Sequence, residues 1–97
     1  MSLSSKQKSH LRGLAHKLKP VVMVGGAGLS EGVINETASS LAHHELIKVR
    51  ITGMDRKERD DMATTLAKET GSELVNIIGH IAILYRAAKK PQIPLPK

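Results

Sequence analysis

Four apolar residues, Val21-Val22-Met23-Val24, run directly into Gly25-Gly26-Ala27-Gly28. No other stretch restricts the fold of this chain as strongly. The first half has the length and β-branched content of a short buried strand. Pro20 stands at its start, where a missing N–H breaks no ladder bond. The second half lacks a side chain at three of its four positions, so the backbone can turn sharply and a ligand's backbone can come close. Ser30 then offers a hydroxyl for a helix N-cap, and Glu31 suits the positive end of that helix. Strand, glycine loop and helix form the unit around which the remaining segments must be arranged.

The flanking segments supply the other elements. Residues 4–18 read as a helix opened by a Ser4/Gln7 capping box, with Leu11, Leu14, Ala15 and Leu18 on one face. Residues 30–44 read as a second helix burying Val33, Ile34, Thr37, Ala38 and Leu41. Leu46–Thr52 alternates: Ile47, Val49 and Ile51 point one way, Leu46, Lys48 and Arg50 the other. Asp55 caps a third helix that runs to Thr70 and stops at Gly71, burying Met62, Ala63, Leu66 and Ala67. Leu74–Ile78 and Ile81–Arg86 read as strands joined by Gly79-His80, a pair that suits a type II′ turn. The last strand is apolar on both faces and so belongs inside the sheet. Residues 87–97 carry Lys89, Lys90 and three prolines and read as an extended, mobile, basic tail. The expected fold is a single α/β domain over residues 1–97, of order α-β-α-β-α-β-β, with a four-stranded mixed sheet and three helices. Both strand–helix–strand units should cross over right-handedly into parallel pairs, and the final hairpin adds an antiparallel strand.

Charge narrows the partner. The net charge is +6, which favours an anionic partner, nucleic acid before an anionic membrane surface. Residues 1–20 hold five basic and no acidic residues, whereas residues 54–73 hold four basic and six acidic ones. Lys8, Arg12 and Lys19 border one side of the first helix's apolar stripe; a merely solvated basic face is the alternative. Lys48 and Arg50 face water or a ligand, or else deter edge pairing. Cysteine is absent, which removes disulfides, thiol catalysis and cysteine-type zinc sites and accords with a reducing cytoplasm. No run approaches the ~20 apolar residues of a membrane span, and Met1–Ser5 has no secretory apolar core. A cytoplasmic protein without membrane contact is expected. Tyr85 is the sole aromatic residue, so binding RNA by stacking bases on rings is not available.

The glycine loop does not fit the nucleotide patterns. A Walker loop ends in lysine and a hydroxyl residue; here Leu29-Ser30 follows Gly28. In the dinucleotide fingerprint Gly26 and Gly28 fit the first two glycines, but Glu31 holds the third position and would repel a pyrophosphate. A four-residue GXXG loop, Gly25–Gly28, which can clamp an RNA backbone, remains, with a purely structural turn as the alternative. His43, His44 and Glu45 are adjacent, and neighbouring side chains on a helix point about 100° apart, so no metal site is expected. Nor does any catalytic constellation or cofactor motif stand out.

Taken together, Lys19-Pro20-Val21-Val22, Gly25-x-x-Gly28-Leu29-Ser30-Glu31-Gly32-Val33, His44-Glu45-Leu46-Ile47-Lys48-Val49, Ile78-Gly79 and Leu84-Tyr85-Arg86 resemble the CRM domain (chloroplast RNA splicing and ribosome maturation). The likeness spans nearly the whole chain and is greatest to the bacterial single-domain, YhbY-like members. It implies a fold similar to the C-terminal domain of translation initiation factor three. It also implies RNA binding, with ribosomal RNA in precursors of the large subunit as partner and ribosome assembly as the process. The family loop usually carries a polar or basic residue at one middle position; Gly26 and Ala27 stand there in this chain, so backbone N–H groups must suffice. The candidate RNA-binding residues are Lys8, Arg12, Lys19, Gly25, Gly26, Ala27, Gly28, Lys48, Arg50, Arg86, Lys89 and Lys90. A monomer that is not an enzyme is expected, although the sequence leaves the oligomeric state open. A protein-interaction adaptor using the tail or the second helix, and an enzyme of small phosphorylated substrates, are the competing readings.

Overall fold

The structure is a computed structural model that describes residues 3–53 and 55–96. Met1, Ser2, Met54 and Lys97, which belong to the N-terminal stretch, the acidic segment and the tail read above, lie outside the described residues. The observed order is α1 (Ser5–Ala15), β1 (Pro20–Val24), α2 (Glu31–His44), β2 (Leu46–Ile51), α3 (Arg56–Thr70), β3 (Glu73–Ile78) and β4 (Ile81–Tyr85). Among the described residues these form three helices and one mixed sheet of strand order β1-β2-β4-β3.

The helices begin where their caps predict. Ser4 and Gln7 bond reciprocally at 2.9 and 3.1 Å, and Asp55 and Glu58 make the same box for α3. Ser30 Oγ accepts from Val33 N at 3.1 Å. α3 ends on Gly71 in the left-handed conformation. Gly79 has φ +60° and, among the described residues, His80 is not at positive φ, which fits the type II′ turn.

Several expectations need correction. α1 ends at Ala15, not residue 18. Lys19 precedes Pro20 and is biased away from helix, so the chain turns before the stripe is complete. Leu11 and Ala15 are buried, but Leu14 stays 42% exposed and Leu18 39%. β1 is an edge strand: Val22 and Val24 are buried while Val21 and Met23 are exposed. The second crossover does not bring β2 and β3 into a parallel pair. β4 lies between them and pairs antiparallel with both, so β1 and β2 are the parallel neighbours.

The sheet has a core on each side. On one, α2 and α3 close over Val22, Val24, Ile47, Val49, Ile51, Ala82 and Leu84. On the other, α1 covers Leu46, Val75, Ile83 and Tyr85 with Leu11 and Ala15, and Ile93 and Leu95 pack against this cluster. The tail is therefore part of the fold rather than a free extension. Its anchor is Glu45, 2% exposed and at φ +62°. The Glu45 carboxylate accepts from the N–H groups of Ala88 and Gln92, and Gln7 Nε2 donates to the Pro96 carbonyl at 3.0 Å. Positive φ is unfavourable for a residue with a Cβ, and here it turns the carboxylate towards the returning chain.

Replacing Glu45 with alanine keeps the backbone strain but removes both acceptors. Urea titration should show a loss of about 1–3 kcal/mol, and hydrogen exchange at Ala88 and Gln92 should accelerate. Burial first, and the Glu45 carboxylate second, raise the Tyr85 phenol above its usual 10.0. The unfolded chain then releases this proton before the folded one does. The contribution is intact below the unfolded value and is lost as pH rises through the folded one. Tyr85→Phe should accordingly lose less Tm than the parent as pH is raised past the usual 10.0 of the phenol.

Candidate nucleic-acid interface

β1 and β2 run parallel, so their C-terminal ends meet; β4 runs back, so the 79–80 turn arrives at the same end. The glycine loop, Thr52, Gly53 and His80 thus share one rim of the sheet. Gly28 N–H donates to the Gly25 carbonyl at 3.0 Å, closing Gly25–Gly28 as a β-turn, and Gly28 sits at φ +83°. Thr52 N–H donates to the Val24 carbonyl at 2.9 Å, and Ile51 N–H to the His80 carbonyl at 2.7 Å.

Gly53, which the sequence patterns above do not single out, shapes this loop. It lies at φ +78°, and a Cβ there would stand 2.9 Å from Gly26 N and 3.1 Å from Gly26 Cα. Two backbones touch at this point, which excludes a side chain at Gly53. Its spacing, two residues past an alternating strand, was the available signal. The Gly28 amide is used inside the turn and Gly26 N packs on Gly53, so exposed Ala27 is the tip that the loop offers.

The predicted cations fall into separate groups. Lys8 and Arg12 are exposed one helical turn apart on α1. Arg12 lines an open hollow with His16, Lys48, Ile78 and Ile83. Arg50 follows Lys48 on the same sheet face, about 7 Å nearer the loop rim. Lys48 Nζ donates to the Leu18 carbonyl at 3.0 Å, leaving two of its three N–H groups for other partners. Lys8, Arg12, Lys48 and Arg50 therefore make a strip leading from α1 towards the loop.

Lys19 lies apart, beside an apolar groove of about 490 Å³ lined by Leu14, Leu18, Val21 and Ile93 among others. Arg86, Lys89 and Lys90 follow β4 and sit at the opposite end of the sheet, about one strand length, ~17 Å, from the loop. Arg86 is engaged in the fold: Nη1 donates to the Thr70 carbonyl at 2.8 Å and Nη2 to the Ala38 carbonyl at 3.0 Å. It closes the C-terminal end of α3, where positive charge is favourable. The structure does not bring these three residues to the loop. His43 and Glu45 also diverge: His43 Nδ1 donates to the Ser39 carbonyl at 2.9 Å, whereas Glu45 holds the tail. Among the described residues, no group of three His, Asp or Glu is placed to hold a metal, and no helix is long and apolar enough to cross a membrane.

Comparison with known proteins accords with this geometry. The family model of the CRS1 / YhbY (CRM) domain matches residues 3–86, and the chain belongs to that family. A Haemophilus influenzae protein named RNA-binding protein is 49% identical over 96 residues, covering 99% of this chain and 97% of that one. The Bacillus subtilis protein YqeI, named a probable RNA-binding protein, is 39% identical over 95 residues, covering 97% and 99%. The solution structure of a hypothetical Staphylococcus aureus protein, described as an RNA-binding candidate, has the same fold. Its TM-score is 0.87 at 38% identity, covering 98% of this chain and 100% of that one. The matched family region ends before the tail that Glu45 anchors.

The loop's dependence on Gly53 is measurable. Gly53→Ala should lower stability by about 1–2 kcal/mol or more in urea titration, from the left-handed backbone alone, with further loss from the contact with Gly26. At Gly25 an added Cβ meets nothing within 4 Å, so Gly25→Ala should change stability far less.

Proposed function

We propose that this protein binds RNA without catalysis, through the Gly25–Gly28 turn and the cationic strip of α1 and β2. We further propose that its RNA is ribosomal, in precursors of the large subunit, where it assists assembly as a cytoplasmic monomer. One observation carries the binding reading: Arg12, Lys48 and Arg50 form a strip on one sheet face, and Arg50 ends it in the row next to the glycine turn. The acidic residues support it from the other side. Six of the nine lie in residues 54–73, mostly on α3 across the sheet, so the molecule presents a basic side and a more acidic one. Phosphate contacts fix orientation under such a distribution. Lys8, Arg12, Lys48 and Arg50 meet phosphates, while the bare loop lets a sugar–phosphate backbone approach Ala27 closely. Lys19, Lys89 and Lys90 contribute longer-range attraction. The relatives named as RNA-binding proteins, alike over nearly their whole length, support the same conclusion. The competing adaptor reading through the tail loses its basis, because Ile93 and Leu95 pack on the second core.

Salt titration of binding tests the electrostatic part. With ~5 phosphates neutralised, the log–log slope should lie at about −3.5 to −4.5; a slope near zero would reject the proposal. Arg12→Glu with Arg50→Glu should weaken binding at least about tenfold and make the slope shallower by about 1 per lost contact. Lys57→Glu on α3 should change neither. The loop is best tested at Ala27, since Gly28 lies at φ +83°, where any side chain is strained. Ala27→Asp should weaken binding without loss of Tm; unchanged affinity would reduce the loop to a turn. Crosslinking in cells should recover precursor large-subunit ribosomal RNA.

A further inference from the structure

α1 leaves part of its sheet face uncovered. The row nearest the loop rim runs across all four strands as Met23, Arg50, Ile81 and Ile78, paired in register. Met23 is 67% exposed and Ile78 55%. Arg50 is exposed between them and Ile81 is half-buried. Three inter-strand spacings make the row about 14 Å wide. It opens at one side onto the hollow that holds Arg12, Lys48 and Ile78. Large apolar side chains this exposed, in one register row with a cation at its centre, are not what a solvated face needs.

We propose that this row receives an unpaired nucleobase of the bound RNA. The inference rests on the RNA-binding reading above and adds to it a preference for unpaired over fully paired RNA. The chemistry fits one occupant. A base is a flat, apolar plate on a phosphodiester, and the row offers an apolar floor beside cations that can hold the phosphates on either side. Arg50 supplies a planar guanidinium, a surface on which unpaired bases stack. Met23, its cross-strand neighbour, supplies a polarisable thioether that packs favourably on aromatic rings. Tyr85, the one Phe, Tyr or Trp in the chain, is buried at 3% exposure, so no phenol, phenyl or indole ring stands at the row. A duplex keeps its base faces stacked inside and can meet the strip only through phosphates. The row is also continuous with the loop, since Met23 precedes Gly25 by two residues.

The test compares two RNAs of equal length by fluorescence anisotropy, a hairpin with an unpaired loop and a blunt duplex. Arg50→Lys retains the charge and removes the plane. Met23→Ser with Ile78→Ser removes the apolar floor and no charge. Each should weaken hairpin binding by about fivefold to tenfold, the lower range for losing one base stack, and leave the salt slope unchanged; the serine variant, which touches no phosphate-binding residue, should also leave duplex binding within about twofold. Circular dichroism and Tm confirm that the variants fold, which exposed positions should permit. Equal losses on both RNAs, or no loss on the hairpin, overturn the inference while leaving the salt-dependent reading standing. A shift from dimer to monomer in the serine variant, with hairpin affinity unchanged, overturns it in favour of a contact between copies of the chain. Failure of the parent protein to bind either RNA overturns the proposed function itself, and this inference with it.

Discussion

The fold depends on keeping β4 dry on both faces. Ala82 and Leu84 sit under α2 and α3, while Ile83 and Tyr85 sit under α1, and all four are buried. Among the described residues, three helices serve two sheet faces. Two pack on one face. The other receives α1 alone, whose 11 residues span about 16 Å. Leu11 and Ala15 pack with Leu46, Val75, Ile83 and Tyr85, while Met23 and Ile78 in the row through Arg50 stay exposed. The returning tail covers more of the same face, but at the end remote from the glycine loop. Cover is thus completed where Glu45 anchors it and is missing where the loop begins. The exposed row follows from how many helices the chain has and where they are attached.

Much of this was legible in the sequence, for local reasons. The Ser4, Ser30 and Asp55 caps and the Gly71 stop act within a few residues of themselves and report helix ends directly. β2 alternates because one of its faces carries Lys48 and Arg50, and β4 is continuously apolar because both of its faces are buried from Ala82 to Tyr85. Other features were hidden, each because it depends on a distant partner. Periodicity shows that Leu14 and Leu18 share a face with Leu11, but not whether that face has a partner along its whole length. The apolar run Val21–Val24 looks like an inner strand because exposed Met23 and buried Val22 belong to the same residue class. Arg86 reads as a free cation beside Lys89 and Lys90; the carbonyls of Thr70 and Ala38 that hold it are 16 and 48 residues away. The proline-bearing tail reads as mobile because its anchor, Glu45, is in another element.

Scarcity of aromatic residues governs how such a surface can work. With Tyr85 committed to the core, no exposed Phe, Tyr or Trp ring remains to stack on a base. Attraction must come from cations, and close contact from a loop with little side chain. The distribution of charge then matters more than its total. Acids gathered on the α3 side leave the α1 side a nearly unopposed positive field, which orients the protein before contact. On the proposed reading, Lys19, Lys89 and Lys90 add to that field without touching RNA, whereas Arg12 and Arg50 act through their positions. Arg86, by contrast, gives its guanidinium to the fold.

Loop shape and loop chemistry are separable in this protein. The turn is closed by a bond between Gly25 and Gly28 and pressed into place by Gly53, which belongs to the end of β2. Neither constraint involves a side chain at positions 26 and 27. A Cβ at Gly26 would make only ordinary contact, 3.4 Å from the Gly53 carbonyl, and Ala27 is exposed at the tip. A polar or basic side chain could therefore stand at either position without altering the turn. Its absence here leaves the tip without a charged or hydrogen-bonding side chain, so on the proposed reading recognition falls to the surface beside the loop. The open row proposed to take a base is carried to the same rim by the same strand, through Met23.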